Sequence, residues 1–289
     1  MNKTYFEKNA DAFGVEIGHL DFKPILAATT DFQEILIADT RKYGRALFLD
    51  GIIQSTEADE GMYHEMLVHP VLAHVGLPAK ILVAGAGEGA SLRELLRHPS
   101  VQEIDAVEID AGMIKAAREH LPSWHRGAFD DTRVTIIEAD IFDHLEGFKG
   151  GYDAIVVDLL DPIDDDGAFD ANCLMFNDCF LSLLKSALNP GGCIVMQIGE
   201  RTSALKGIFP KLKTFFHWLK PYSVLVPSFH ENWTFLLLAA EDKSAYGDAV
   251  ETAMTDTQKL PTSYFSPLAF KFAAEQAAHF FKASDTNKK

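Results

Sequence analysis

Short apolar runs alternate with stretches of helical spacing through most of this chain, and the alternation is regular from residue 80 to residue 240. Ile81-Leu82-Val83 opens the series as a strand buried on both faces. Ser91 to Arg97 then reads as a helix, Ile104 to Val107 as a strand, Ala111 to Leu121 as a helix and Val134 to Ile137 as a strand. Phe142 to Phe148 predicts a short helix, Tyr152 to Val157 a strand, and Met175 to Leu188 a helix stopped by Asn189-Pro190-Gly191-Gly192. Cys193 to Gln197 is a strand, Leu205 to Leu219 a helix, and Ser223 to Val226 and Thr234 to Ala239 are two further strands. Such alternation predicts an α/β fold with a doubly wound, mostly parallel sheet.

The beginning of the chain carries a different pattern. Asp31 to Asp39 holds a β-rich run, Ala46 to Leu49 leads into an Asp50-Gly51 turn, and Ile52 to Ser55 is another short strand. These elements predict a small antiparallel β-domain over residues 1–56, with residues 57–289 forming the larger domain. Ala58 to Val75 has helical spacing, with Met62, Met66 and Leu67 on one apolar face and Pro78 closing the helix. The last residues, Ser284 to Lys289, read as a frayed tail.

Chemistry enters at the turn after Val83, where the chain reads Gly85-Ala86-Gly87-Glu88-Gly89. Residues without a Cβ let the backbone approach a ligand at a tight turn. The strand that follows ends on Glu108 and Asp110, and an acid about twenty residues after such a turn is placed to accept hydrogen bonds from ribose. A dinucleotide fingerprint wants G-x-G-x-x-G, whereas here the third glycine falls one position early and a carboxylate sits inside the turn. Glu88 would repel a pyrophosphate and attract a cation. An S-adenosyl ligand, with a sulfonium, an adenosine and no phosphate, suits it. A glycine turn that only lets helix and strand pack is the rival reading of this motif alone.

Composition narrows the choice. At 289 residues, 47% hydrophobic and 24% charged, the chain is an ordinary globular protein with room for one large or two modest domains. Its formal net charge of −16 argues against nucleic acid as a partner. The same charge is compatible with cationic substrates, and equally with solubility alone. Cys173, Cys179 and Cys193 suggest neither a disulfide framework nor a metal site. No secretory h-region and no membrane-length apolar stretch is present, so the expected location is the cytoplasm, away from membranes.

Three successive predicted strands lead into carboxylates: Glu108, Asp140 and Asp158. Ligands of an open parallel sheet bind at these carboxyl ends, and three acids there beside a glycine turn are hard to attribute to chance. Asp158 and Asp161 flank Leu159-Leu160 just before Pro162, where Asp161 also suits a turn cap.

Four motifs now resemble one family, the spermidine synthase group of polyamine aminopropyltransferases. Tyr43-Gly44-Arg45-Ala46-Leu47-Phe48-Leu49-Asp50-Gly51-Ile52-Ile53-Gln54 is similar to its Y-G-x-x-L-x-L-D-G-x-x-Q, and Asp59-Glu60-Gly61-Met62-Tyr63-His64-Glu65-Met66 to its D-E-x-x-Y-H-E-M helix. Gly85 to Gly89 resembles the family's G-G-G-D-G turn, and Asp158-Leu159-Leu160-Asp161-Pro162 its D-S-S-D-P segment. The resemblance covers almost the whole chain and implies a Rossmann-like sheet of the S-adenosylmethionine methyltransferase type. It implies transfer of the aminopropyl group of decarboxylated S-adenosylmethionine, a co-substrate and not a cofactor, to a polyamine acceptor. By resemblance, Gln33, Glu108 and Asp140 hold the adenosine beside Gly85 and Gly87, with Glu88 near the aminopropyl end. Asp158 is the base and Tyr63 orients the amine, while Gln54, His64, Glu65, Asp161 and Trp233 belong to the acceptor side. No metal is implied, and a homodimer or homotetramer is expected. Tyr63 alone would also suit core packing.

Three departures bear on the acceptor. Leu159-Leu160 replaces the small polar pair, Glu88 replaces aspartate, and Phe229 in Pro227-Ser228-Phe229-His230-Glu231-Asn232-Trp233 stands where tyrosine is common. The first two resemble the thermospermine synthase branch. An apolar Leu159-Leu160 wall and the aspartates Asp164, Asp165 and Asp166 would suit a triamine, although such a charge run also suits simple solvation. Putrescine is the first expectation and spermidine the alternative. A methyltransferase is the rival enzyme class, set against by the N-terminal β-domain and the Y-H-E-M helix, and a non-catalytic relative ranks last.

Overall fold

A computed structural model describes residues 3–8, 16–159, 174–199, 205–241 and 262–286. The chain begins with the short antiparallel pair β1 (Tyr5–Phe6) and β2 (Gly18–His19). A four-stranded antiparallel sheet follows, formed in order by β3 (Lys23–Thr29), β4 (Glu34–Thr40), β5 (Gly44–Leu49) and β6 (Ile52–Thr56). The predicted Asp50-Gly51 turn joins β5 to β6, and its φ angles of 51° and 89° are the left-handed pair a tight hairpin needs. Strand β3 was not legible in the sequence pattern. It lies at the sheet edge and is largely exposed, so it lacks an alternating buried face.

The two faces of this sheet have separate work. Leu36, Ala38, Ala46, Phe48 and Ile53 close a small core with Phe22, Tyr5 and Phe229. Ile35, Ile37 and Leu47 instead join the large core of the rest of the molecule. Between β5 and β6 the register slips: Phe48 faces Ile53 while its neighbour Leu47 faces Ser55, leaving Gln54 as the extra residue of a β-bulge. A one-residue slip reverses which face each following side chain takes. Ser55 is thereby turned to the same side as Leu47, toward the large domain.

Helix α1 (Glu60–Val75) crosses into that domain, and Gly76 caps it, two residues before the expected stop at Pro78. Then come β7 (Lys80–Ala84), α2 (Ala90–Leu96), β8 (Glu103–Glu108), α3 (Ala111–His120), the single turn α4 (Pro122–His125), β9 (Val134–Glu138), α5 (Ile141–Leu145) and β10 (Tyr152–Val157). Beyond them lie α6 (Asp178–Ala187), β11 (Leu188–Gln197), α7 (Leu205–Phe215), β12 (Trp218–Val226), β13 (Glu231–Ala239) and α8 (Pro267–Thr286). The seven strands pair in the order β12-β13-β11-β10-β7-β8-β9. From β11 to β9 every pairing is parallel, and β13 runs antiparallel to both β11 and β12. This is the expected doubly wound sheet with an antiparallel hairpin at one edge. Strand order reverses between β7 and β10, the switch point where such sheets bind ligands.

Several boundaries differ from the sequence reading for local reasons. Helix α6 starts only at Asp178, where Asn177 accepts the Phe180 N–H at 2.7 Å as its cap. Helix α7 ends at Phe215, and Trp218 and Leu219 already belong to β12, which pairs through Trp218↔Ala239. Strand β11 begins already at Leu188 and takes in the whole Asn189-Pro190-Gly191-Gly192 stop. Helix α8 was not anticipated, and it runs through Thr286, into the stretch expected to fray. Phe270, Ala273, Ala274 and Ala277 form its buried stripe at i, i+3, i+4, i+7 spacing. Among the described residues no helix is long and apolar enough to cross a membrane.

The entry to α8 is fixed by one carboxylate. Glu65, buried on α1, accepts three successive backbone N–H groups, from Ser263 at 2.9 Å, Tyr264 at 2.7 Å and Phe265 at 2.9 Å. Glu65→Ala strands these donors, and a charged acceptor makes their loss costly. The expected result is a loss of about 2–4 kcal/mol in denaturant unfolding, with hydrogen exchange accelerated first in α8 and its entry segment.

Candidate active site

The backbone at the switch point has no room to spare. Gly85 takes φ 85°, donates its N–H to Val107 O at 3.0 Å, and a Cβ there would overlap the carbonyl of Asp158. Asp158 in turn donates its N–H to Ala84 O at 2.8 Å. The glycine turn and the end of β10 are thus locked side by side, which places Glu88 and Asp158 in one neighbourhood. Gly87 is constrained by side chains alone, since a Cβ there would approach Met113 and the Glu108 carboxylate.

Asp158 is held from two sides. Tyr63, on the first turn of α1, donates its hydroxyl to Asp158 Oδ1 at 2.6 Å, and Ser91 at the start of α2 reaches Oδ2 at 3.5 Å. Burial pushes the Asp158 carboxyl up from its ordinary range, against the pull of His64 and these hydroxyls. Burial raises Glu88 in the same way, opposed by His64 and by the Ser55 hydroxyl, which donates to Glu88 Oε2 at 2.6 Å. His64 is the cation between them. Burial alone would lower its imidazole, yet the hydrogen bond from Nδ1 to Glu60 and the charges of Glu88, Glu60 and Asp158 hold it up at about 9. It is therefore an imidazolium at neutral pH, offering the acids a buried countercharge.

A second group of predicted residues lines the neighbouring strand ends. Glu108 accepts the Asp110 N–H at 3.0 Å and also bonds the N–H groups of Ala86 and Gly87, so it spans from β8 back to the glycine turn. Burial raises this carboxyl too. Gln33 reaches across from the β3–β4 loop, where its Nε2 donates to Asp110 Oδ2 at 2.7 Å beside Thr30 Oγ1 at 2.9 Å. Asp110 also caps α3 through Gly112 N–H at 2.9 Å. Asp140, exposed after β9, caps α5 by accepting the Phe142 N–H at 2.8 Å.

Other predicted residues are placed differently. Glu65 does not join the acceptor group: both its oxygens are committed to the backbone of residues 263–265, which corrects the expectation. Gln54 is the bulge residue of β6, one position from Ser55. Trp233 pairs with Val224 on β13 and sits 4.7 Å, ring to ring, from Phe229, which lies 6.0 Å from the Tyr63 ring. Among the described residues the buried Trp233 Nε1–H has no hydrogen-bond partner. The turn carrying Phe229 is tied down by Asp59, which accepts the Ser228 N–H at 2.7 Å and its hydroxyl at 2.9 Å. Leu159 packs into the core on the far side of the sheet, and Gln197 Nε2 donates to its carbonyl at 2.5 Å. Its Cδ2 also lies 3.4 Å from where a Cβ on Gly85 would stand, so Leu159 borders the glycine turn, while Leu160 lies outside the described residues. Asp161 and the Asp164, Asp165 and Asp166 run lie outside the described residues.

Sequence reasoning missed Ser55, Ser91, Glu60 and Arg93. Glu60 and His64 do stand at i, i+4 on one helix, a legible signal for a paired acid and base. Ser55 offered none, because only the bulge turns it inward.

Comparisons with known proteins point to one family. Residues 60–247 match the family model for the spermine/spermidine synthase domain, and residues 22–57 match the spermidine synthase tetramerisation domain. The polyamine aminopropyltransferase of Aeropyrum pernix is 39% identical over 223 residues, covering 76% of this chain and 69% of that protein. A Synechococcus polyamine aminopropyltransferase is 40% identical over 222 residues, 74% of this chain and 69% of that protein. Among solved structures, a spermidine synthase in complex with the transition-state analogue AdoDATO superposes with a TM-score of 0.82 at 26% identity, over 94% of this chain and 91% of that one. The spermidine synthase of Thermotoga maritima gives a TM-score of 0.77 at 25% identity, over 94% and 90%. With the family's catalytic domain, its N-terminal domain and the sheet order all present, the chain belongs to the spermine/spermidine synthase family and is a polyamine aminopropyltransferase.

Proposed function

We propose that this enzyme transfers the aminopropyl group of decarboxylated S-adenosylmethionine to putrescine, forming spermidine and methylthioadenosine. The observation that carries this reading is the Tyr63–Asp158 contact at the switch point, with Glu88 beside it and Glu108 at the next strand. An alkylammonium has a pKa near 10.4, so its free-base form is scarce at neutral pH. Asp158 takes a proton from the acceptor's terminal ammonium, and its burial-raised pKa narrows the gap between base and acid. The freed nitrogen lone pair attacks the carbon next to sulfur. The carbon–sulfur electrons move onto the sulfonium, which leaves as a neutral thioether, and the new secondary amine carries the positive charge. Tyr63 keeps the base in register by its hydroxyl, and bringing two cations into line is the remaining task of the surrounding acids.

In this reading Glu108 binds the ribose, Gln33 and Asp140 flank the adenosine, and Glu88 meets the aminopropyl ammonium. Gln54 and Trp233 belong to the acceptor side, and His64 balances the acids. Methyl transfer is disfavoured by the family match of both domains. We also read the enzyme as a homo-oligomer assembled through the N-terminal sheet, whose edge strand β3 leaves Ile25 exposed.

Mass spectrometry of reactions offering decarboxylated or intact S-adenosylmethionine with putrescine, cadaverine, agmatine or spermidine tests the assignment directly. The expected major product is spermidine from putrescine. Spermidine consumption without putrescine consumption would replace the acceptor, and a methylated product would overturn the reaction class.

The base is tested by Asp158→Asn, which should keep the fold and nucleoside binding while lowering kcat by roughly a hundredfold or more. Since Asp158 must be ionised to act and burial raises it, kcat/KM of the wild type should fall with decreasing pH at values above the ordinary aspartate pKa of about 3.9. An acid-side inflection at or below that ordinary value would mean that burial does not raise the base or that another group acts.

Glu108→Ala should weaken methylthioadenosine binding, measured by calorimetry, by about 2–3 kcal/mol through loss of charge-assisted hydrogen bonds. Unchanged affinity would move the nucleoside elsewhere.

A further inference from the structure

Glu88 is held by a one-way relay that starts in the core. Trp124, fully buried on α4, donates its Nε1–H to Ser55 Oγ at 2.9 Å, and Ser55 donates its own proton to Glu88 Oε2 at 2.6 Å. An indole nitrogen only donates, so it occupies a lone pair on the serine oxygen and leaves the hydroxyl proton for Glu88. Trp124 is anchored in turn, because its carbonyl accepts Arg93 Nη1 at 2.6 Å. The same guanidinium forks onto Glu60 with two bonds of 2.9 Å, and Glu60 accepts from His64 Nδ1 at 3.1 Å. One buried arginine therefore fixes both the relay to Glu88 and the carboxylate behind His64.

Ser55 belongs to the N-terminal sheet, and the bulge at Gln54 is what turns it toward the large domain. Strict alternation would have left it on the Ile53 side, in the small core. We propose that Ser55, oriented by Trp124, is a positioning residue that fixes the Glu88 carboxylate for the aminopropyl ammonium of the donor. This rests on the role given to Glu88 above. A carboxylate already aimed when the ammonium arrives needs no reorganisation. Methylthioadenosine lacks the aminopropyl group, so the relay should discriminate donor from product nucleoside and leave the affinity for the nucleoside alone.

Calorimetric titration of the intact chain with decarboxylated S-adenosylmethionine, and separately with methylthioadenosine, tests the relay. Ser55→Ala should weaken the donor by roughly five- to twentyfold, the scale of one charge-assisted hydrogen bond, and leave methylthioadenosine within about twofold. Ser55→Thr keeps a hydroxyl and should restore donor affinity. Trp124→Phe removes the indole donor along with part of the ring, leaves the Ser55 hydroxyl in place, and should weaken the donor less than Ser55→Ala does. Unchanged donor affinity in Ser55→Ala overturns the proposal, as does equal weakening of both ligands or failure of threonine to rescue. A wild type that binds the donor no better than methylthioadenosine would instead remove the role of Glu88, and with it the reading on which the relay rests.

Discussion

Keeping carboxylates ionised where water is scarce is the constraint on which this structure depends. A site that gathers cations needs acids, and burial pushes Glu88, Asp158 and Glu108 toward their neutral forms. The fold answers with donors. Tyr63 and Ser91 serve Asp158, Ser55 serves Glu88, the turn backbone serves Glu108, and the His64 imidazolium stands between the first two. Together they hold negative charge at the switch point, where a preformed field favours cationic substrates more than the same acids would in water.

Behind this layer lies a second one that does not face the site. Arg93 joins Glu60, Glu94 and the carbonyl of Trp124, while His69 bridges Glu94 and His98 at 3.0 and 2.8 Å. Arg97 bonds Glu94 at 2.5 Å and lies 3.7 Å from Glu65, the residue that anchors the approach to α8. Buried polar groups are tolerable when each has its partners. Here the network ties α1 to α2 and thereby fixes the two helices that present Tyr63, His64 and Ser91. The identity of α1 as both scaffold and site explains why its face is polar where an ordinary core helix would be apolar.

The N-terminal sheet is more than an appendage in this arrangement. Its inner face shares the large core through Ile35, Ile37 and Leu47, its β3–β4 loop delivers Gln33 to Asp110, and its bulged strand β6 delivers Ser55 to Glu88. Tyr43 donates to the Pro227 carbonyl at 2.9 Å and Asp59 holds Ser228, so the same sheet region also sets the turn bearing Phe229. The substitution of glutamate for the aspartate usual in the glycine turn fits this picture, because the longer side chain has a dedicated hydroxyl to meet it.

Much was legible in the chain alone, wherever the information is local. Apolar runs, broken by Asp105 in β8, marked β7, β8, β10 and β11, a glycine turn and strand-end acids marked the binding edge, and the Asp50-Gly51 pair marked a hairpin, because periodicity and left-handed backbone are properties of neighbouring residues. The Tyr63, Glu88, Glu108 and Asp158 group could be named from motifs, and the fold does gather these residues at one end of the sheet. What tertiary structure decided was non-local. The same Y-H-E-M helix that carries Tyr63 and His64 sends Glu65 the other way, to three N–H groups nearly two hundred residues downstream. Leu159 follows Asp158 in sequence, yet its partly buried side chain packs against the core on the opposite face of the sheet. Edge strand β3 has no buried face to leave a pattern, and Ser55 reaches Glu88 only because a register slip between β5 and β6 reverses its face. A bulge is set by how two strands pair, and a carboxylate's partner by which segment folds back upon it; neither is written in the spacing of adjacent residues.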